Sequence, residues 1–145
     1  MLTQAEADAL IQMQKTFLRA TAIRLPAGAD QSHELVGIES DPREHFLLDL
    51  SRGRIRLTKV KYQTRARSVV VLVRLCLDWA PHPNPDGSVV GRNHLHVYRE
   101  GYADKWAYDL DPKLFPNPAD MWDTFTKFCH YCNISPLPAM EPELV

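Results

Sequence analysis

Cysteine is scarce in this chain of 145 residues, with three in all. An odd count that small excludes a disulfide framework and points to a reducing compartment, the cytoplasm. Cys76, Cys129 and Cys132 therefore read as free thiols. No apolar run approaches the ~20 residues that a membrane-spanning helix needs, so no membrane partner is expected. Met1 leads into polar Thr3-Gln4-Ala5-Glu6 rather than the basic and apolar regions of a signal peptide. Repeats and low-complexity blocks are also missing.

The most informative absence is local. Residues 50 to 77 contain no Asp or Glu, yet hold Arg52, Arg54, Arg56, Lys59, Lys61, Arg65, Arg67 and Arg74. The net charge of −1 thus conceals a middle of +8 between ends that total −9. A basic segment of this kind suits RNA or another phosphate-bearing or acidic partner, or else pairs with the acidic flanks across the fold.

The length fits one domain, expected over residues 1 to 134, with an extended or disordered proline-bearing tail over 135 to 145. Thr3 and Glu6 have capping-box spacing, and Leu10, Met13 and Phe17 recur at helical intervals, which predicts a helix over 4 to 20. Strands are expected over 44 to 50, 54 to 61, 68 to 78, 93 to 100 and 105 to 110. Pro83-Asn84-Pro85-Asp86-Gly87 reads as a turn that pairs the third run with the fourth. Asn117 as an N-cap and Pro118 as the first helical residue open a second helix over 118 to 132, with Met121, Trp122, Phe125 and Phe128 on one stripe. The fold class is α+β: an antiparallel sheet of about four to five strands with both helices on one face.

Alternation then assigns faces. In Asn93-His94-Leu95-His96-Val97-Tyr98-Arg99-Glu100, the residues His94, His96, Tyr98 and Glu100 share one side. If the rows Val69, Val71, Val73, Leu75, Leu77 and Ile55, Leu57 face the helices, then Arg54, Arg56 and Arg74 join His94 and His96 on the open face. Arg65 and Arg67, beside Tyr62, extend the cationic surface from a hairpin tip. A register slip or bulge would reverse any of these rows.

Metal-free phosphodiester cleavage needs a base, an acid and fixed cations. His94, His96 and Glu100 are the candidate catalytic groups, and Arg54, Arg56, Arg65, Arg67, Arg74 and Tyr98 the candidate substrate-binding groups. Sequence alone assigns no metal ligand and calls for no cofactor. His94-x-His96 with Glu100 matches the first metal motif of cupins in spacing, but the second motif is missing, and Cys129-x-x-Cys132 is half a zinc site. His82 reads as a solvated loop residue. The layout is similar in type to small bacterial ribonucleases and ribonuclease toxins.

The segments Leu50-Ser51-Arg52-Gly53-Arg54-Ile55, Tyr62-Gln63-Thr64-Arg65-Ala66-Arg67, Asn84-Pro85-Asp86-Gly87 and His94-Leu95-His96-Val97-Tyr98-Arg99-Glu100-Gly101, followed by Lys105-Trp106-Ala107, resemble a family of small bacterial proteins of unknown function. The resemblance transfers no activity and no catalytic residue. Its context among mobile elements suggests toxins or inhibitors of host defence, including anti-CRISPR proteins. Two expectations follow: a cytoplasmic RNA-acting protein of the metal-independent endoribonuclease type, or a non-catalytic binder of a host or antitoxin protein.

Overall fold

The computed structural model describes residues 1–19 and 22–141. In chain order its elements are α1 (Gln4–Gln12), β1 (Lys15–Phe17), β2 (Ala22–Ile23), β3 (Asp30–Gly37), β4 (His45–Arg52), β5 (Val60–Ala66), β6 (Val70–Leu77), β7 (His82–Pro83), β8 (Val89–Val90), β9 (His94–Val97), β10 (Ala107–Asp109), α2 (Met121–Tyr131) and β11 (Ala139–Met140). Seven strands form one antiparallel sheet in the order β1-β3-β4-β5-β6-β9-β10, more than the four or five expected. In the tail, β11 pairs parallel with β2, and the tail residues 142–145 lie outside the described residues. No helix among the described residues is long and apolar enough to cross a membrane.

Both helices contribute to a single core on one face of the sheet. Tyr62 is its centre: the buried ring meets Phe125 of α2 edge-on at 5.6 Å, and its hydroxyl donates to Met121 O at 2.8 Å. Each fully buried side chain of this size contributes about 1.5–3 kcal/mol relative to exposure. The second helix starts later than the sequence suggests. Asp120, not Asn117, is the N-cap, accepting from the backbone N–H groups of Trp122 and Asp123 at 3.1 and 3.0 Å.

The first helix has its predicted capping box but stops at Gln12, because Met13 turns to extended backbone (φ −55°, ψ 131°). Residues 15–17, expected as helix, instead pair with β3 at the sheet edge. The run expected as a strand over 54 to 61 is largely a turn. Gly53 N donates to Lys59 O at 2.8 Å, and a Cβ at Gly53 would sit 2.3 Å from Arg56 O, so only glycine fits this tight reversal. Ile55 is consequently 95% exposed at a loop tip.

A bulge interrupts β6. Thr64 pairs with Val73 and Arg65 with Val71, which leaves Leu72 as the extra residue. Beyond it the phase reverses, so Val73, Leu75 and Leu77 face the core as expected, whereas Leu72 is buried and Val69 is 79% exposed.

Candidate functional site

The site is built on the face of the sheet away from the helices. Register places Cys76 opposite His94 and Arg74 opposite His96, while Lys61 and Gln63 of β5 flank the same two rows. Pleating sends Leu75 and Leu95 to the core and leaves these four side chains on the open face. Cys76, His94 and His96 are 4%, 3% and 2% exposed, sunk beneath an excursion formed by residues 79 to 93.

That excursion is pinned by Asn84. Its side chain exchanges two hydrogen bonds with the Ala107 backbone, each 2.9 Å long. Asn84 N also donates to Ser88 O at 2.7 Å, and Gly87 takes the left-handed conformation (φ 88°) that the turn requires. The short β7–β8 ladder then holds His82 over the strands, with ring centroids 4.7 Å from His96 and 5.8 Å from His94. His94 and His96 are 5.0 Å apart. The cleft so formed has a volume of about 350 Å³ and is lined by Lys61, Arg74, Cys76, Trp79 with the following Ala80 and Pro81, and the three histidines.

Hydrogen bonds fix the imidazole tautomers. His94 Nδ1 lies 2.7 Å from Gly91 O, His96 Nδ1 2.8 Å from Asp104 O, and His82 Nε2 2.8 Å from Lys105 O. A carbonyl only accepts, so each of these nitrogens carries a proton, and in the neutral rings of His94 and His96 the opposite nitrogen carries the lone pair. Burial lowers the pKa of His94, with the bond to Gly91 opposing it, and burial followed by the Arg74 charge takes His96 down to about 4. Both rings are neutral at physiological pH. Burial raises the Cys76 thiol, while the charge and hydrogen bond of Arg74 and the charge of Lys61 act the other way. Arg74 is held by Asp104 at 2.6 Å.

The family of unknown function DUF6978 matches residues 2–134. The chain belongs to that family. No curated protein matches it, and no solved structure does.

In this DUF6978 chain only part of the sequence-derived constellation assembles. Arg74, His94 and His96 meet as expected. Glu100 does not join them: the chain leaves the sheet after Val97, and the Glu100 carboxylate accepts from Gln4 N at 2.6 Å, at the start of α1 on the other face. Tyr98 also turns inward, its hydroxyl donating to Leu2 O at 2.7 Å. Arg54 and Arg56 lie in the turn after β4 rather than on a strand, with Arg56 paired to Asp78 at 2.7 Å. Arg65 lies within β5, not at a hairpin tip, and forks onto Asp49 at 2.6 and 2.9 Å. Arg67 sits in the β5–β6 turn and reaches Glu44 at 3.3 Å. Cys129 and Cys132 are buried in the core of this DUF6978 domain.

The site gains Cys76, His82, Lys61 and Trp79, which sequence reasoning left aside. Alternation along β6 already put Cys76 in phase with Arg74. Nothing local marked His82, because its position depends on Asn84 reaching β10.

Proposed function

We propose that the protein acts on RNA at the cleft on the open sheet face. The lining of the cleft carries this reading: two cations (Lys61, Arg74), an indole (Trp79) and three imidazoles, with no carboxylate lining it among the described residues. Lys59 and Lys61 approach the Trp79 ring, at 4.1 and 5.8 Å from its centroid. A ribonucleotide offers the complementary groups, a phosphate for the cations and a base for the aromatic face. Neutral His94 or His96 suits the base that takes a 2′-hydroxyl proton, and Lys61 would stand where charge develops on phosphorus, Arg74 being paired to Asp104.

Titration of labelled single-stranded RNA and duplex DNA at several salt concentrations tests the binding. RNA affinity should fall with salt, and Lys61→Ala and Trp79→Ala should each weaken it about tenfold or more, as expected for one lost phosphate contact and one lost stacked base. Incubation with total RNA, beside His96→Ala, tests turnover. Absence of RNA binding at low salt defeats the proposal.

One observation favours the second reading, a non-catalytic binder such as an inhibitor of host defence. With Glu100 committed to α1 and Asp104 paired to Arg74, no carboxylic acid among the described residues stands ready at the cleft to protonate a leaving group. RNA binding without cleavage, unchanged in His96→Ala, would select that reading.

A further inference from the structure

We propose that Cys76, His94 and His96 bind one divalent transition-metal ion of the zinc class, through the thiolate and the two Nε2 atoms. The inference goes beyond the RNA reading and is independent of RNA binding, but it excludes His94 and His96 as proton acceptors, because the lone pair of each ring would be held by the metal.

Proximity is the first argument. A ligating atom from each of the three residues lies within 4.8 Å of the other two. Zn–S bonds of about 2.3 Å and Zn–N bonds of about 2.0–2.1 Å put tetrahedral donors roughly 3.5 Å apart, so the groups have to close by about 1 Å. Small χ rotations supply that, because the parent backbones are already paired opposite each other at Cys76 and His94.

Orientation is the second argument. Metal-binding histidines characteristically donate the other ring N–H to a carbonyl or carboxylate, which fixes the tautomer and strengthens the donor. His94 and His96 both do this, to Gly91 O and Asp104 O. Among the described residues no group hydrogen-bonds to either Nε2. Neither Nε2 is among the buried polar atoms left without a partner, so both lone pairs are open to the cleft.

Donor chemistry selects the ion. One thiolate and two imidazoles without a carboxylate suit zinc or cobalt and not magnesium or calcium. Binding displaces the thiol proton of Cys76, and the dication stabilises the resulting thiolate. Three protein ligands leave a fourth position on the cleft side, where His82 or a small ligand completes a tetrahedron.

The test uses the purified wild-type chain, stripped of metal and titrated with zinc against a chromophoric chelator and separately with cobalt(II). The expected result is one equivalent bound per chain, with a near-ultraviolet thiolate-to-cobalt band and the visible bands of tetrahedral cobalt. Cys76→Ser should abolish the near-ultraviolet band, and His94→Gln and His96→Gln should each weaken binding by about a hundredfold or more. Less than a tenth of an equivalent bound to wild-type protein overturns the proposal, as does bound cobalt without the thiolate band. Circular dichroism of each variant separates lost ligation from lost fold, and the wild-type spectrum decides the matter if a variant does not fold. RNA titration of the same metal-free protein keeps failure of this proposal distinct from failure of the RNA reading.

Discussion

Asp49 organises the open face away from the cleft, although it is a single carboxylate in the middle of an apolar strand. It accepts from Arg65 at 2.6 and 2.9 Å, Gln63 at 2.7 Å and Ser32 at 2.6 Å, which fills its lone pairs with donors from the two neighbouring strands. Burial pushes its pKa up, but the hydrogen bonds from Arg65, Ser32 and Gln63 outweigh burial and the net shift is downward. A folded pKa below the unfolded value means that its stabilisation is complete above the unfolded value and is lost as pH falls through the folded one. Asp49→Asn should therefore cost about 1.5–3 kcal/mol at neutral pH, the range for hydrogen bonds to a charged group, and less in acid. Urea denaturation at pH 7 and at pH 3 reads the difference. The same residue explains why Arg65 is not free to clamp a phosphate. An acid-free stretch describes only its own sequence, whereas its partners Asp49, Glu44 and Asp78 arrive from flanking elements.

Elements were legible where one rule governed them. Alternation grouped Arg74, His94 and His96 because β6 and β9 are regular there and pair in simple register. It failed at Tyr98 and Glu100, four residues after His94 and His96 respectively, because the strand ends at Val97 and the face assignment ends with it. The bulge at Leu72 reversed the first half of β6, and two adjacent buried residues, Leu72 and Val73, were its only trace in an unbroken apolar run. Asp30–Gly37 was missed as a strand because its outer half is polar, as befits an element exposed on one side. The relocation of Glu100 has a measurable consequence for α1. Glu100 Oε1 caps Gln4 N, and the Gln4 side chain returns a bond by accepting from Glu100 N at 2.9 Å. Glu100→Ala should lower stability by about 1 kcal/mol, through a lost cap and a lost charge at a helix N-terminus. RNA affinity should stay within twofold of wild type; a large loss of affinity with intact stability would return Glu100 to the site.

Across the whole molecule, Lys15 ties separate parts together from a fully buried position. Its ammonium donates to Ile11 O at 2.8 Å and Met13 O at 2.9 Å where α1 ends, and to Cys132 O at 2.8 Å where α2 ends. Burial lowers its pKa to about 8 from an ordinary 10.5. The unfolded chain therefore holds this proton at pH values where the folded chain has released it. The resulting stabilisation is full above the unfolded pKa and is lost as pH falls through about 8. Wild-type stability should accordingly gain from this group between pH 8 and 10.5, the two limits of its shift, and Lys15→Met should lack that gain. The variant also leaves three carbonyls without their donor, at a cost of about 3 kcal/mol near neutrality. Chemical denaturation across that pH range checks both the offset and the slope.

The pairing of Cys76 with His94 and of Arg74 with His96 also governs how the chain tolerates changes in length. One residue inserted within either strand rotates an imidazole or the thiol into the core, since neighbouring positions face opposite sides. Between Trp79 and Arg92 the backbone has left the sheet, and added residues shift no phase. The stretch that carries His82 can thus be lengthened or shortened without changing the register of the two strands beneath it, so the contact made at the mouth of the cleft can diverge while its floor stays the same, provided that Gly91 O still reaches His94 and Asn84 still reaches Ala107.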